Sequence, residues 1–458
     1  MLDSTVVNVA LVRIGEDFNA GFTALQWISN GYTLTLAAFI LLGGVLGDLY
    51  GRRRVFLIGT VWFALASALC AFSTGEGMLI AARALQGIGG ALLTPGSLAL
   101  ISATFVPHDR AKAIGAWSGL GGVAAAIGPF LGGWLVEINW RLVFLINLPV
   151  AAAIVAISLR HVPESKSDSH GVQPRVDVVG SVAVVLALSG ITYALTEAGR
   201  LGWTWPVITI GVLGLAAGVL FVFVERRVRQ PLMQLQMFAD RVFAAVNVVT
   251  VFIYAALSAF VFLVVLQLQV VSGWSPLAAG VSLLPVTVLM LALSARSGAL
   301  SQRIGPRSLM AIGSLLAAGG FAWTLRIGPD ARFLPDVLPA GVLLGLGLSC
   351  AVAPLTAAVL AAAPDDMAGA ASGINNATAR TAGLLAIAVI PAVVGLSSPG
   401  GQEGPGFDRG FGSAMLIGVG LLVMAALVSW FGVGKFAVAE VPGSPANLAT
   451  SVRRDQAR

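Results

Sequence analysis

Residues 44–54 read Gly44-Val45-Leu46-Gly47-Asp48-Leu49-Tyr50-Gly51-Arg52-Arg53-Arg54. An apolar run ends there in a charged, glycine-marked turn, and another apolar run opens at Val55. Residues 298–307 repeat the pattern as Gly298-Ala299-Leu300-Ser301-Gln302-Arg303-Ile304-Gly305-Pro306-Arg307. Laying one stretch on the other pairs Gly44 with Gly298, Leu46 with Leu300, Gly51 with Gly305 and Arg53 with Arg307. Further on, Gly59 meets Gly313. Each copy is a short basic loop between two apolar runs. Matched loops imply a chain built from two repeated halves, which transporters use to rock around a central site. A channel, a receptor or a membrane enzyme has less need of them.

The composition around these loops points to a bilayer. Of 458 residues, 57% are hydrophobic and 10% charged. Soluble domains carry about 25% charged residues, because water must wet their surface. In lipid, outward positions are apolar all round. The 55 glycines fit the same setting, since small residues let membrane helices approach closely.

A spanning helix needs about 20 apolar residues. Charge-free runs of this kind cover 27–46, 55–74, 113–136, 142–159, 178–196, 201–224, 308–325, 337–363 and 410–434. The stretch 242–295 is too long for one span, and Ser272-Gly273-Trp274-Ser275-Pro276 supplies a turn that divides it. Runs 77–105 and 369–395 each hold one internal charge, Arg83 and Arg380. These make thirteen full spans. Residues 1–12 are apolar except Asp3 and rise only about 18 Å as a helix, short of a core of about 30 Å. We expect the second half of a first helix there, giving fourteen spans, with a short interfacial stub as the alternative.

Lys and Arg set the orientation. With the C-terminus inside and fourteen alternating spans, the inner loops and tail hold nineteen basic residues and the outer loops six. The net charge of +6 therefore reads as membrane topology rather than as nucleic-acid binding. Arg outnumbers Lys by 24 to 3, as in proteins from GC-rich bacterial genomes. Cys70 and Cys350 lie in apolar runs with no metal or disulfide spacing. His108, His161 and His170 fall in polar loops. No nucleophile–base pair and no Walker phosphate loop appear, so neither an enzyme nor an ATP-driven pump is expected. No cofactor and no metal are expected either.

Taken together, these motifs resemble the major facilitator superfamily, and within it the fourteen-helix drug:proton antiporter branch. The likeness covers essentially the whole chain. Leu2-Asp3-Ser4-Thr5-Val6-Val7-Asn8-Val9-Ala10-Leu11 resembles the first-helix signature, in which a further half-helix precedes it. Gly44 to Arg54 resembles the superfamily's most specific motif, with Asp48, Gly51, Arg52 and Arg53 in place. Arg83-Ala84-Leu85-Gln86-Gly87 resembles the fourth-helix motif, and Gly128-Pro129-Phe130-Leu131-Gly132-Gly133 the fifth-helix motif of exporters. Trp140-Arg141, Asn147-Leu148-Pro149, Gln269 with Gly273 and Ser275, and Gly373-Ile374-Asn375-Asn376 with Arg380 also look like this branch.

The resemblance implies an all-α membrane protein with two six-helix halves and two extra linker helices. The expected organisation is 1–160 for the N-terminal half, 161–240 for an inner loop and the extra pair, 241–434 for the C-terminal half and 435–458 for a cytoplasmic tail. It also implies export of small hydrophobic or amphipathic compounds in exchange for protons, by a monomer in a bacterial inner membrane. The alternatives are a narrow-specificity exporter or importer of the superfamily, or an inactive truncated one.

Individual residues carry expected roles. Antiport needs a carboxylate that takes up a proton within the membrane. The charges inside the spans are Asp3, Arg83 and Arg380, with Glu137 and Glu197 at span ends. Asp3 with Arg83 is the expected coupling site. A peripheral acid, or no coupling at all, remains open, as does a solvated Asp3 in a frayed terminus. Gly44, Asp48, Gly51, Arg52 and Arg53 are expected to gate the inner face, with Asp48 accepting from a neighbouring helix N-terminus. Gly128, Pro129, Gly132 and Gly133 would pack the fifth helix against the other half. Asn30, Gln86, Gln269, Asn375, Asn376 and Arg380 are candidates to line the cavity. Trp27 is expected at the membrane interface.

Overall fold

The computed structural model describes residues 2–104, 107–165, 176–228, 230–364, 367–398 and 404–433. The expected tail at 435–458 lies outside them, as do Lys166, His170, Arg175 and Arg229.

Fourteen long helices follow one another among the described residues, with one short turn of helix, Leu235–Ala239, between the eighth and ninth. They are α1 Leu2–Phe18, α2 Phe22–Tyr50, α3 Arg52–Ala71, α4 Glu76–Thr104, α5 Pro107–Ile138, α6 Leu142–His161, α7 Val178–Leu201 and α8 Trp205–Glu225. Then come α9 Arg241–Val271, α10 Pro276–Ile304, α11 Pro306–Arg326, α12 Phe333–Ala361, α13 Ala368–Val393 and α14 Gly404–Gly432. Twelve are long and apolar enough to cross a membrane. The other two are α1, with 17 residues, and α5, whose described apolar part is Ile127–Ile138. The break expected near Ser272 falls between α9 and α10. There the Ser275 hydroxyl accepts from the Ala278 amide at 3.2 Å and Pro276 opens the next helix.

One boundary differs from expectation. Helix α1 does not stop at residue 12 but runs to Phe18. Arg13 and Glu16 pair at 2.8 Å one turn apart, so polar residues continue the helix beyond its apolar part.

The repeat is visible in the packing. Helices α2, α3 and α5 pack on α4, α4 and α1, and α10, α11 and α13 pack on α12, α12 and α9 in the same pattern. The paired loops are also alike. Gly51 and Gly305 each take a positive φ, 110° and 84°, and each opens the following helix. That backbone favours glycine, so both loops turn tightly at one arginine-rich end of the bundle.

The halves meet mainly where α5 lies on α10 and α2 on α13. The extra pair α7–α8 covers the second seam, since α7 packs on both α2 and α13. There the Trp27 indole donates to Glu197 of α7 at 2.9 Å, so Trp27 is bound to a helix rather than to the interface alone. Helix α8 leaves Val212, Leu213, Leu215 and Val219 exposed, a surface that lipid and not water suits. The chain is a multi-pass helical membrane protein.

Candidate coupling site and gates

Four helices of the N-terminal half converge on Asp3. It lies in the first turn of α1 and is 4% exposed, so it is not a frayed, solvated acid. Arg83 of α4 donates to its Oδ2 at 2.7 Å, while Gln86 of α4 and Asn147 of α6 each donate to its Oδ1 at 2.9 Å. Ser67 of α3 accepts from Asn147 at 2.9 Å and from Gln86 at 3.2 Å. Arg83 also donates to Gln86 Oε1 at 2.6 Å and to the Ile28 carbonyl at 3.2 Å. Its guanidinium lies 4.4 Å from the ring centre of Tyr32 on α2.

Arg83 is 1% exposed, so the pair is shut away from water. An isolated charge inside the bilayer costs about 2.5–3.5 kcal/mol or more. Here each charge satisfies the other, and neutral amides fill the remaining lone pairs. Asn147 belongs to a motif quoted from the sequence but carried no expected role there, and Ser67 was not singled out at all. A lone polar residue in an apolar run was the available signal, but it does not name its partners.

Asp3 is also mechanically connected. Val6, one turn on, packs against Gly132 of α5, where a Cβ would come 2.9 Å from the Val6 Cα. The next residue, Gly133, faces the other half, and a Cβ there would come 2.6 Å from the Leu277 Cα on α10. Gly280 likewise leaves no room for a side chain against the Pro129 carbonyl. Gly128, Pro129, Gly132 and Gly133 are all buried. These small residues bring α5 and α10 backbone to backbone.

That contact lies at the end of the bundle opposite the arginine-rich loops. Side-chain hydrogen bonds that join the halves cluster toward the same end. Gln26 donates to the Ile387 carbonyl at 2.7 Å, Ser397 to Gln26 at 3.3 Å, and Gln269 to the Val9 carbonyl at 3.2 Å. Phe22 of α2 stacks edge-on with Phe262 and Phe407 of the other half. The described conformation is closed there. Gln269, expected to line the cavity, is thus part of this closure, and Gln86 belongs to the coupling cluster. Asn375 donates to Thr250 at 2.7 Å and to Asn247 at 3.2 Å within its own half. Asn376 and Arg380 are half-buried on α13, and Asn30 is fully buried on α2.

At the arginine-rich end, Arg52 pairs with Asp48 at 2.8 Å across the Gly51 turn. Gly44, on the same helix, lies against Pro95 of α4. Among the described residues, and in this conformation, Asp48 accepts from Arg52 of its own loop rather than from a neighbouring helix N-terminus. It lies in the last turn of α2, four residues before Arg52, and that guanidinium reaches it. The acid on the N-terminus of α3 is Glu164, from the loop after α6. It accepts from the amides of Arg53 at 3.0 Å and Arg54 at 3.2 Å, while Arg53 donates to the Val162 carbonyl at 2.8 Å. An anion suits that helix end. Glu164→Ala is expected to lower stability by about 0.5 kcal/mol, the surface value for a charge at a helix end, seen as a lower thermal midpoint.

Repeated halves around a buried acid–guanidinium pair, closed at one end, define a membrane transporter rather than an enzyme. The chain belongs to the Major Facilitator Superfamily, whose family model matches residues 1–388. It is 34% identical over 445 residues to a puromycin resistance protein of Streptomyces alboniger, covering 94% of this chain and 88% of that one. It is 36% identical over 394 residues to a tetracenomycin C resistance and export protein of Streptomyces glaucescens, covering 85% and 72%. Its fold matches a bacterial homologue of the human lysosomal transporter Spinster with a TM-score of 0.66 at 18% identity, covering 95% and 94%.

Proposed function

We propose that the protein exports small hydrophobic or amphipathic compounds from a bacterial cell in exchange for protons, by alternating access. The observation that carries this is the buried Asp3 cluster, one helical turn from the packing that joins the halves. With the arginine-rich loops and the C-terminus cytoplasmic, the described state is closed to the outside. A carboxylate paired with Arg83 is the proton-free form, ready for substrate from the cytoplasm. Substrate then leaves outward, a proton from outside neutralises Asp3, and the loss of its attraction to Arg83 lets α1 and α5 return. The proton departs inward as the pair re-forms. The loop of Asp48, Gly51, Arg52 and Arg53 would close the cytoplasmic side in the other state. The protein is taken to work as a monomer.

Relatives named for resistance to puromycin and to tetracenomycin C support export. Because each is named for one compound, a narrow-specificity exporter is the second reading. The test is proton movement driven by substrate in liposomes holding the purified protein, with puromycin, tetracenomycin C and ethidium as probes.

A further inference from the structure

Of the three charges that the sequence sets inside its apolar runs, Asp3, Arg83 and Arg380, the coupling site takes two and leaves Arg380. Arg380 of α13 is half-buried in a span, and no hydrogen bond or ion pair among the described residues engages it. Its position follows from how α2 and α13 pass one another. Gln26 bonds the Ile387 carbonyl, and Leu41 lies 3.9 Å from where a Cβ on Gly373 would stand. The helices are therefore antiparallel, and Arg380 lies level with Thr33 and Leu34, mid-way along the seam. It is within electrostatic reach of Tyr32 on α2 and Tyr254 on α9. Tyr32 already carries the Arg83 guanidinium against its ring. The middle of the molecule thus holds one guanidinium from each half, Arg83 against the Tyr32 ring and Arg380 near the same level.

A second observation points to a ligand at the same level. Asn30 is 0% exposed, and neither its Nδ2 nor its Oδ1 has a hydrogen-bond partner. It stands one turn from Gln26 on the face that meets α13, one turn further toward Arg380. Buried amides are nearly always paired, so an orphan about one turn from the level of an unpaired guanidinium marks a place where something else supplies the bonds.

The charge balance chooses the ligand. Asp3 and Arg83 cancel, and Arg380 leaves the mid-membrane region with one uncompensated positive charge. A cationic compound would meet like charge there, whereas an anion would complete the site. We propose that the central site recognises an acidic oxygen on the transported compound, a carboxylate, phenolate or enolate, held by Arg380 with Asn30 as a further donor. A guanidinium is suited to two oxygens at once. The proposal deepens the export reading, on which it rests for the direction of movement only.

The test uses fluorescein and rhodamine 6G, which share a xanthene ring system and carry opposite charge at slightly alkaline pH. Binding to the full chain in lipid nanodiscs is followed by fluorescence anisotropy, for the wild type, Arg380→Gln and Arg380→Lys, each first shown to elute as folded protein. Fluorescein is expected to bind the wild type more tightly than rhodamine 6G. Arg380→Gln should weaken fluorescein by about 10- to 100-fold, the size of a lost charge-assisted hydrogen-bond pair, without weakening rhodamine 6G. Arg380→Lys should retain part of the preference. Equal fluorescein affinity in Arg380→Gln, stronger rhodamine 6G binding to the wild type, or no fluorescein binding to folded wild type would each overturn the assignment. Gradient-driven movement of rhodamine 6G without fluorescein binding would leave export standing and remove this site. Fluorescein bound through Arg380 but never moved would do the reverse.

Discussion

Asp3→Asn is expected to lower gradient-driven transport by about 100- to 1,000-fold while leaving the chain folded. Asparagine keeps the size of the side chain and an oxygen to accept from Gln86 and Asn147, so the packing around α1 survives. What it loses is the charge facing Arg83 at 2.7 Å and the capacity to carry a proton. Leaving one member of a buried ion pair alone costs about 3–5 kcal/mol, and the lower half of that range corresponds to roughly this change in population. The loss falls on coupling, so downhill exchange of labelled for unlabelled substrate should persist. Gradient-driven transport at the wild-type rate in Asp3→Asn would remove Asp3 from the proton path.

Gly133→Leu is expected to prevent closure at the end opposite the arginine-rich loops. A Cβ at 133 would meet the Leu277 Cα at 2.6 Å and the Pro276 carbonyl at 2.8 Å. Both are backbone atoms of the other half and have no rotamer by which to retreat. Overpacking of this kind costs about 1–3 kcal/mol, enough to shift a two-state equilibrium by roughly 5- to 150-fold. The readout is the labelling rate of Gln269→Cys by a membrane-impermeant maleimide, in a background carrying Cys70→Ala and Cys350→Ala. The rate should rise by about tenfold or more. Gly319→Leu is the control, because a Cβ there meets nothing within 4 Å. An unchanged rate in Gly133→Leu would show that α5 and α10 do not form the closure.

Much of this was legible from the residues alone. Charge-free runs of about 20 residues and alternating basic loops gave the spans, and the likeness of the Gly51 and Gly305 loops gave the halves. Asp3, Arg83 and Arg380 stood out because a charge within a span is expensive. What sequence spacing did not supply was partnership across the fold. Asn147 comes to Asp3, and Ser67 to Asn147, from helices far along the chain, and Glu164 reaches α3 from a loop more than 100 residues away. Local reasoning set Asp48 toward a helix N-terminus, and in this conformation it pairs with Arg52. Helix α1 ran past its apolar part because an i,i+3 ion pair continued it, which a hydropathy argument does not register. Trp27 fitted an interface belt, and only the position of α7 turned it toward Glu197.

The exchange of protons for substrate is most directly tested by substrate-driven proton flux. Liposomes containing the purified protein and a pH-sensitive dye in the lumen would receive an outward-to-inward gradient of puromycin, tetracenomycin C or ethidium, with no imposed pH difference. The expected result is a lumen that turns alkaline as at least one compound enters, with the signal absent in Asp3→Asn. Entry of a compound through the folded wild-type protein without any pH change would contradict proton exchange.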